Sequence, residues 1–274
     1  MTSSTDRRLA ILGAGNIGIA IARGLVSAKL YEPGRITLTR RHEATLQEFK
    51  QQGYSVGVDN AEAVRSSAMI ILAVTPQQLN GLLAEIRAAI DVKRHAVVSV
   101  VSGASISAIR AELGNDVPIV RAMPNTAIAI GESMTCIAVD GVQEDAVRDV
   151  VRIFDALGRT LLISEDQMVP ATALCACGIA FFLRAIRAAS QGGIEIGFHA
   201  GDALLMAAQT AKGAASLLAK SNQHPESEVD KVTTPQGCTI SGLNQMEHHG
   251  FSSALIRGIV TSAEKAAVLY APKK

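Results

Sequence analysis

The chain has 274 residues, of which 48% are hydrophobic and 19% charged, with 26 basic and 25 acidic side chains and a formal net charge of +1. That balance excludes a disordered polyelectrolyte. With no basic block and no Trp, it also argues against a nucleic-acid surface, which needs a basic stripe and usually aromatic platforms.

A chain of this length suits two moderate cores better than one large one. Arg7 and Arg8 precede the apolar run Leu9–Leu12, which is too short for a signal peptide. The run Ala171–Leu183 stops at Arg184, short of the ~20 residues that cross a bilayer. A cytoplasmic protein without a membrane partner is expected. Four cysteines, with Cys175 and Cys177 as C-x-C, do not make a disulfide framework; buried thiols in a reducing compartment are expected.

In chain order, short apolar runs alternate with amphipathic stretches, the βαβ pattern of a parallel sheet covered on both faces. Strands are predicted at Arg8–Leu12, Arg35–Thr39, Met69–Val74, Ala96–Val101, Pro118–Met123, Thr135–Val139 and Thr160–Ile163. Helices are predicted at Asn16–Ala28, Gln77–Ile90 and Gln143–Leu157. The first places Ile17, Ala20, Ile21, Gly24 and Leu25 on one face. After Ser164 the strand signal ends. Gln167–Lys220 is Ala-rich and helical in spacing, interrupted at Gln191-Gly192-Gly193, and further helices are predicted from Pro225 to near Thr233 and over Ser252–Tyr270. Thin Ala-rich helices bury little area alone, so they are expected to pack on a second subunit. The fold class is an α/β Rossmann-type N-terminal domain, 1–164, followed by an all-α dimerisation and substrate domain, 165–274.

Gly13-Ala14-Gly15-Asn16-Ile17-Gly18 follows the strand LAIL and opens a helix, the context a dinucleotide-binding glycine motif requires. Gly13 permits the turn, Gly15 lets the backbone approach a pyrophosphate, and Gly18 lets the helix pack on the strand. Helix N–H groups then face the phosphates. The second strand ends in Thr39, Arg40 and Arg41, with no carboxylate before Glu43. Two guanidiniums suit a 2′-phosphate, so NADP(H) is expected over NAD(H). Ligands lie at the carboxyl ends of parallel strands, which adds Ala73-Val74-Thr75-Pro76, Ser102-Gly103 and Asn125, the last as a hydrogen-bonding group near the nicotinamide. Asn60 is counted with this cofactor set.

In the second half, Val232-Thr233-Thr234-Pro235-Gln236-Gly237-Cys238-Thr239 joins hydroxyls and a glycine turn to a helix. Such a turn offers N–H groups and hydroxyls to a small carboxylate. At this point the sequence resembles the pyrroline-5-carboxylate reductase family, whose signature runs approximately V-[ST]-[ST]-P-G-G-x-T-x-x-[AG]-L. The match covers Val232–Leu243 and extends to Ala73–Gln77, Met123–Thr126, Ala207–Leu218, Gln223-His224-Pro225 and Gly250-Phe251, almost the whole chain in order. The resemblance implies hydride transfer from NADPH to the C=N carbon of the cyclic imine, giving proline. It implies substrate contacts at Val232, Thr234, Gln236, Gly237, Cys238 and Thr239, with the Thr239 hydroxyl near the imine nitrogen as the catalytic group. It also implies a homodimer with interlocked helical domains, able to build into a ring of dimers.

The chain departs from the family at Gln236, where a glycine is usual, at Thr75, where lysine is frequent, and at Cys175-Ala176-Cys177-Gly178-Ile179-Ala180, where the family has S-G-S-G-P-A. If position 236 needs a positive φ, glutamine there costs stability. These departures keep two alternatives open: a paralogue acting on a related cyclic imine, and a non-catalytic NADP-binding regulator. A β-hydroxyacid dehydrogenase is disfavoured, because Met168–Gln191 holds Arg184 and Arg187 but no lysine. The six histidines are scattered apart from His248-His249, and no metal site is expected.

Overall fold

The structure is a computed structural model that describes residues 8–221 and 223–268. Met1–Arg7, Asn222 and the expected helix end at Tyr270 lie outside the described residues. Those up to Cys177, with those from Ser262 onward, form one compact unit, and Gly178–Thr261 forms a second.

The first unit runs β1 (Leu9–Leu12), α1 (Asn16–Ser27), β2 (Ile36–Thr39), α2 (Gln47–Gln51), β3 (Ser55–Gly57), α3 (Asn60–Arg65), β4 (Met69–Leu72), α4 (Pro76–Ile86), β5 (Ala96–Ser99), α5 (Ile106–Leu113), β6 (Ile119–Met123), β7 (Ser133–Val139), α6 (Glu144–Asp155) and β8 (Gly158–Leu162). The strands form one sheet in the order β3-β2-β1-β4-β5-β6-β7-β8. Successive strand residues point to opposite faces. Leu9 and Ile11 therefore enter the core under α1 and α6, while Ala10 and Leu12 enter the core under α3, α4 and α5. Both faces are covered, which is why the inner strands read as continuous apolar runs. Strand order reverses between β1 and β4, which pair in parallel. That reversal opens the crevice in which open α/β sheets bind ligands.

The expected parallel sheet needs correction. The sheet is not wholly parallel, because β7 runs antiparallel to β6. Only Pro124–Glu132 joins them, with a 3-10 turn at Thr126–Ile130, and a parallel crossover needs a dozen or more residues. The α6 crossover returns β8 parallel to β7. Sequence periodicity also misses β3, α2, α3 and α5, which are short.

A short α7 (Met168–Ala171) leads into a π-helical stretch, Thr172–Cys177. The second unit holds α8 (Gly178–Glu195), α9 (Ala200–Ser221), α10 (Pro225–Lys231), α11 (Cys238–His248) and most of α12 (Phe251–Ala266). Gln191-Gly192-Gly193 does not interrupt the helix as expected. The chain breaks instead at Gly197, whose φ of 109° leaves helical space, and an ideal Cβ on Gly193 would sit 3.0 Å from Ala203 Cβ, so this glycine serves the close approach of α9. The apolar run Ala171–Leu183 belongs to a longer helical stretch, Glu165–Glu195, whose 31 residues are long and apolar enough to cross a membrane by length and composition alone.

Candidate functional site

The cleft begins at the end of β1. Gly13 and Ala14 N–H groups both donate to Thr39 O, at 3.2 and 2.8 Å, which ties the glycine turn to the end of β2. Gly13 has φ 99°, and a Cβ there would lie 2.6 Å from Ala73 O. Gly15 is the opposite case: nothing lies within 4 Å of an added Cβ. Gly15 also caps α1 without a side chain. The first-turn N–H groups of Asn16, Ile17 and Gly18 have no intrahelical acceptor, so they are available to an anion above Gly15.

A cleft of about 590 Å³ extends from this turn. Gly13, Gly15, Thr39, Arg40, Arg41, Asn60, Ala73, Val74 and Thr75, all expected in the cofactor set, line it together. Arg40 and Arg41 are exposed, and among the described residues neither has an ion-pair partner. Their guanidiniums are thus available to a phosphate. A diphosphate over Gly15 and a further phosphate between the arginines fit these donors.

Sequence reading did not include His42, Val58, Gln78, Gly81, Leu82 or Glu85, which also line the cleft. The signal lay in spacing: 78, 81, 82 and 85 share one face of α4. Gln78 Oε1 accepts from Thr75 N at 3.3 Å, so Thr75, standing where the family often has lysine, opens α4. The Thr39 hydroxyl donates to Asn60 Oδ1 at 2.6 Å, and Asn60 Nδ2 donates to both Glu85 carboxylate oxygens at 3.1 and 3.0 Å.

Asn16, Ile17, Gly18, Pro76, Ser102, Gly103 and Asn125 do not line the cleft. Ser102 and Gly103 follow β5 and Asn125 follows β6, and three strand spacings separate β1 from β6, about 14 Å. Asn125 is heavily engaged: its Oδ1 accepts from Ala127 N at 3.0 Å, its Nδ2 donates to Cys175 O at 3.3 Å, and its N–H donates to Ser133 Oγ at 3.1 Å. Nearby, Arg121 is buried and paired with Glu165 at 3.1 Å. Burial lowers its pKa, and the Glu165 hydrogen bond and charge oppose that. Glu165 also accepts from Ile106 N at 2.6 Å, joining β6, α5 and the start of the helical stretch.

The sequence treated the cysteines as separate, but Cys136 and Cys175 sulfurs lie 4.0 Å apart. The Cys136 thiol is pushed up by its contact with Cys175 and by burial, and Cys175 is lowered to about 7 by the same hydrogen bond. Among the described residues no group of three or more His, Cys, Asp or Glu could hold a metal ion.

In the helical unit, Gly237 N donates to Thr234 O at 2.9 Å. Pro235 follows Thr234, and Gln236 has φ 58°, a turn whose third position ordinarily favours glycine. The structure therefore meets the condition set by the sequence, and Gln236 occupies left-handed space. A Cβ on Gly237 would lie 2.5 Å from Thr234 Oγ1. Gly237 caps α11 without a side chain, which leaves the N–H groups of Cys238, Thr239 and Ile240 open. Thr239 is half-buried, while Val232, Thr234, Gln236 and Cys238 are exposed. The turn thus brings the expected substrate residues together beside a helix start.

Residues 165–269 match the family model for pyrroline-5-carboxylate reductase dimerisation. Residues 8–103 match the NADP oxidoreductase, coenzyme F420-dependent family. The chain is 55% identical over 281 residues to pyrroline-5-carboxylate reductase 1 of Dictyostelium discoideum, covering 98% of this chain but 51% of that protein. It is 50% identical to pyrroline-5-carboxylate reductase 2 of the same organism, covering 95% and 92%. In fold it is similar to the NADP-bound crystal structure of Plasmodium falciparum pyrroline carboxylate reductase, with a TM-score of 0.89 at 24% identity over 97% of this chain and 99% of that one.

Proposed function

The chain belongs to the pyrroline-5-carboxylate reductase family, and from that premise we propose that it reduces L-1-pyrroline-5-carboxylate to L-proline with NADPH, in proline biosynthesis, in the cytoplasm. The observation that carries this reading is the presence in one chain of two features. One is a glycine-turn cleft lined by the exposed Arg40 and Arg41; the other is the Thr234–Thr239 turn at the open start of α11.

Bound NADPH supplies the hydride. Gly15 and the first turn of α1 receive the pyrophosphate, and Arg40 and Arg41 receive the 2′-phosphate, giving a preference over NADH. Asn16, Ile17, Gly18 and Pro76 act through backbone placement, and Ser102, Gly103 and Asn125 lie toward the nicotinamide. The substrate carboxylate is held by the open N–H groups of α11 and by the Thr234 and Thr239 hydroxyls. The same Thr239 hydroxyl hydrogen-bonds the imine nitrogen and steadies its proton. An imine that arrives protonated already has an electrophilic carbon, so orientation and charge stabilisation are the main requirements on the protein. Gln236 and Cys238 shape the turn, and Val232 borders it.

Residues 1–164 are assigned to the cofactor part and 165–274 to the dimerisation and substrate part; a dimerisation match that begins at 165 supports that boundary, whereas the compact sheet unit reaches Cys177 and takes in the chain from Ser262 onward. The exposed apolar side chains of the helices are covered by a second copy of the chain, and such dimers assemble into a larger ring. The readings as a paralogue for another imine or as a regulator draw no support from the relatives.

The test mixes the protein with NADPH and pyrroline-5-carboxylate and follows both loss of reduced-nicotinamide absorbance and formation of proline. Turnover that is faster with NADPH than with NADH supports the assignment. Tight NADPH binding with no proline formed contradicts the substrate and leaves the cofactor cleft standing.

A further inference from the structure

Glu85 is the single carboxylate among the described residues lining the cofactor cleft. In NAD-preferring sites a carboxylate at the end of the second strand accepts from the ribose hydroxyls. Here that strand ends in Thr39, followed by Arg40 and Arg41. A carboxylate nevertheless reaches the same end of the cleft, from α4, and it is wired to the strand.

The wiring has one direction. Asn60 Nδ2 donates to both Glu85 oxygens, at 3.1 and 3.0 Å, and Asn60 Oδ1 accepts the Thr39 proton at 2.6 Å. Turning the amide over would set its carbonyl oxygen against the carboxylate, so the Glu85 charge fixes which end of Asn60 faces Thr39. The Thr39 hydroxyl, its proton spent on Asn60, retains only lone pairs. Glu85 itself is acceptor-only when ionised. This wall suits ribose hydroxyls and opposes a phosphate dianion. Arg40 and Arg41 line the same cleft and have the reverse preference.

We propose that Glu85 is a positioning residue that determines cofactor specificity: by orienting Asn60 and placing one negative charge in the cleft that Arg40 and Arg41 also line, it keeps the preference for NADPH below what the two arginines alone would set, so that NADH is also used. The proposal rests on the reading of this cleft as the nicotinamide dinucleotide site.

The experiment titrates the full-length protein with NADPH and with NADH, following nicotinamide fluorescence, for wild type, Glu85→Gln, Asn60→Ala and the double variant. Glu85→Gln is expected to shift the ratio of the two Kd values toward NADPH by roughly fivefold, less at high salt because the group is exposed. In the Asn60→Ala background the shift shrinks, because the orienting step is gone. Steady-state kinetics should place the change in the cofactor KM and leave kcat near wild type. A purely structural role would weaken both cofactors alike. Equal changes in both Kd values, or none, overturn the proposal while leaving the cleft as the cofactor site. Wild-type protein that binds neither nucleotide overturns the cofactor reading and the proposal with it.

Discussion

The sheet unit and the helical unit solve burial in opposite ways. In the first, β1, β4 and β6 are buried along their whole length, and Leu9, Ile11, Ile70 and Phe154 are fully enclosed. Among the described residues of Gly178–Thr261, only Gly178, Ser190 and Ala203 are buried. There Leu183 is 58% and Leu205 69% exposed. A fully buried Leu or Phe contributes about 1.5–3 kcal/mol relative to an exposed one, so the sheet unit holds its own core, while among the described residues Gly178–Thr261 adds none to a buried apolar cluster. The sequence carried this difference in its pattern: apolar strand runs end before Ser164, and the Ala-rich helical stretch that follows buries little area alone.

The sharpest way to break that contrast is to charge the helical surface. Leu183→Asp combined with Leu205→Asp should raise the dimer dissociation constant by 10² or more, given about 1.5–3 kcal/mol per side chain. Analytical ultracentrifugation should then show monomers and the assay a matching loss of activity. An unchanged dimer would place the interface elsewhere.

Within the sheet unit, two glycines of one motif should behave differently. Gly13→Ala meets Ala73 O at 2.6 Å with φ 99°, and overpacking plus backbone strain should cost about 3 kcal/mol of stability in a denaturant titration. Gly15→Ala meets nothing in the protein. Its melting temperature should stay near wild type while NADPH affinity falls roughly tenfold, about 1.4 kcal/mol.

A smaller effect is expected at Gln236, held at φ 58°. Relief of the left-handed strain in Gln236→Gly should add about 1 kcal/mol of stability, with the gain confined to the helical unit by hydrogen exchange.

The smallest belongs to His95 in the sheet unit. Burial lowers its pKa first, with Arg94 adding to that and Asp91 and a Ser67 backbone hydrogen bond opposing it. The folded imidazole stays neutral where the unfolded one, with its ordinary value of 6.5, takes up a proton. Stability is therefore full above pH 6.5 and falls as pH drops from 6.5 toward the depressed folded value, by at most about 1.4 kcal/mol per pH unit. His95→Asn should flatten that part of the stability profile; an unaltered slope would contradict the assignment.

Much of the cofactor cleft was legible because it is local. Gly13 to Gly18 sit in one strand–turn–helix, and Arg40 and Arg41 directly follow the next strand. Glu85 was not legible, because on α4 it reads as a solvated charge and only the fold brings it to Asn60. The direction of β7 was hidden because a period of two carries no polarity, and β3 because three half-buried residues make no pattern. Gln236 stood out as a departure from a family motif, but its positive φ is a property of the folded turn. The pairing of Cys136 with Cys175 joins β7 to the π-helical stretch across 39 positions, beyond any local spacing.

The central claim is that two separate parts of the chain bind the two reactants, the cofactor at the glycine-turn cleft and the imine at the α11 turn. The most direct measurement is steady-state reduction of pyrroline-5-carboxylate by NADPH in wild type, Arg40→Ala/Arg41→Ala and Thr239→Ala. The arginine pair should raise the NADPH KM by roughly tenfold or more, as loss of charge-assisted contacts predicts, and leave the NADH KM in place. Thr239→Ala should lower kcat/KM for the imine without altering NADPH affinity. If both variants move the same parameter, or if wild type does not oxidise NADPH in the presence of the imine, the account is wrong.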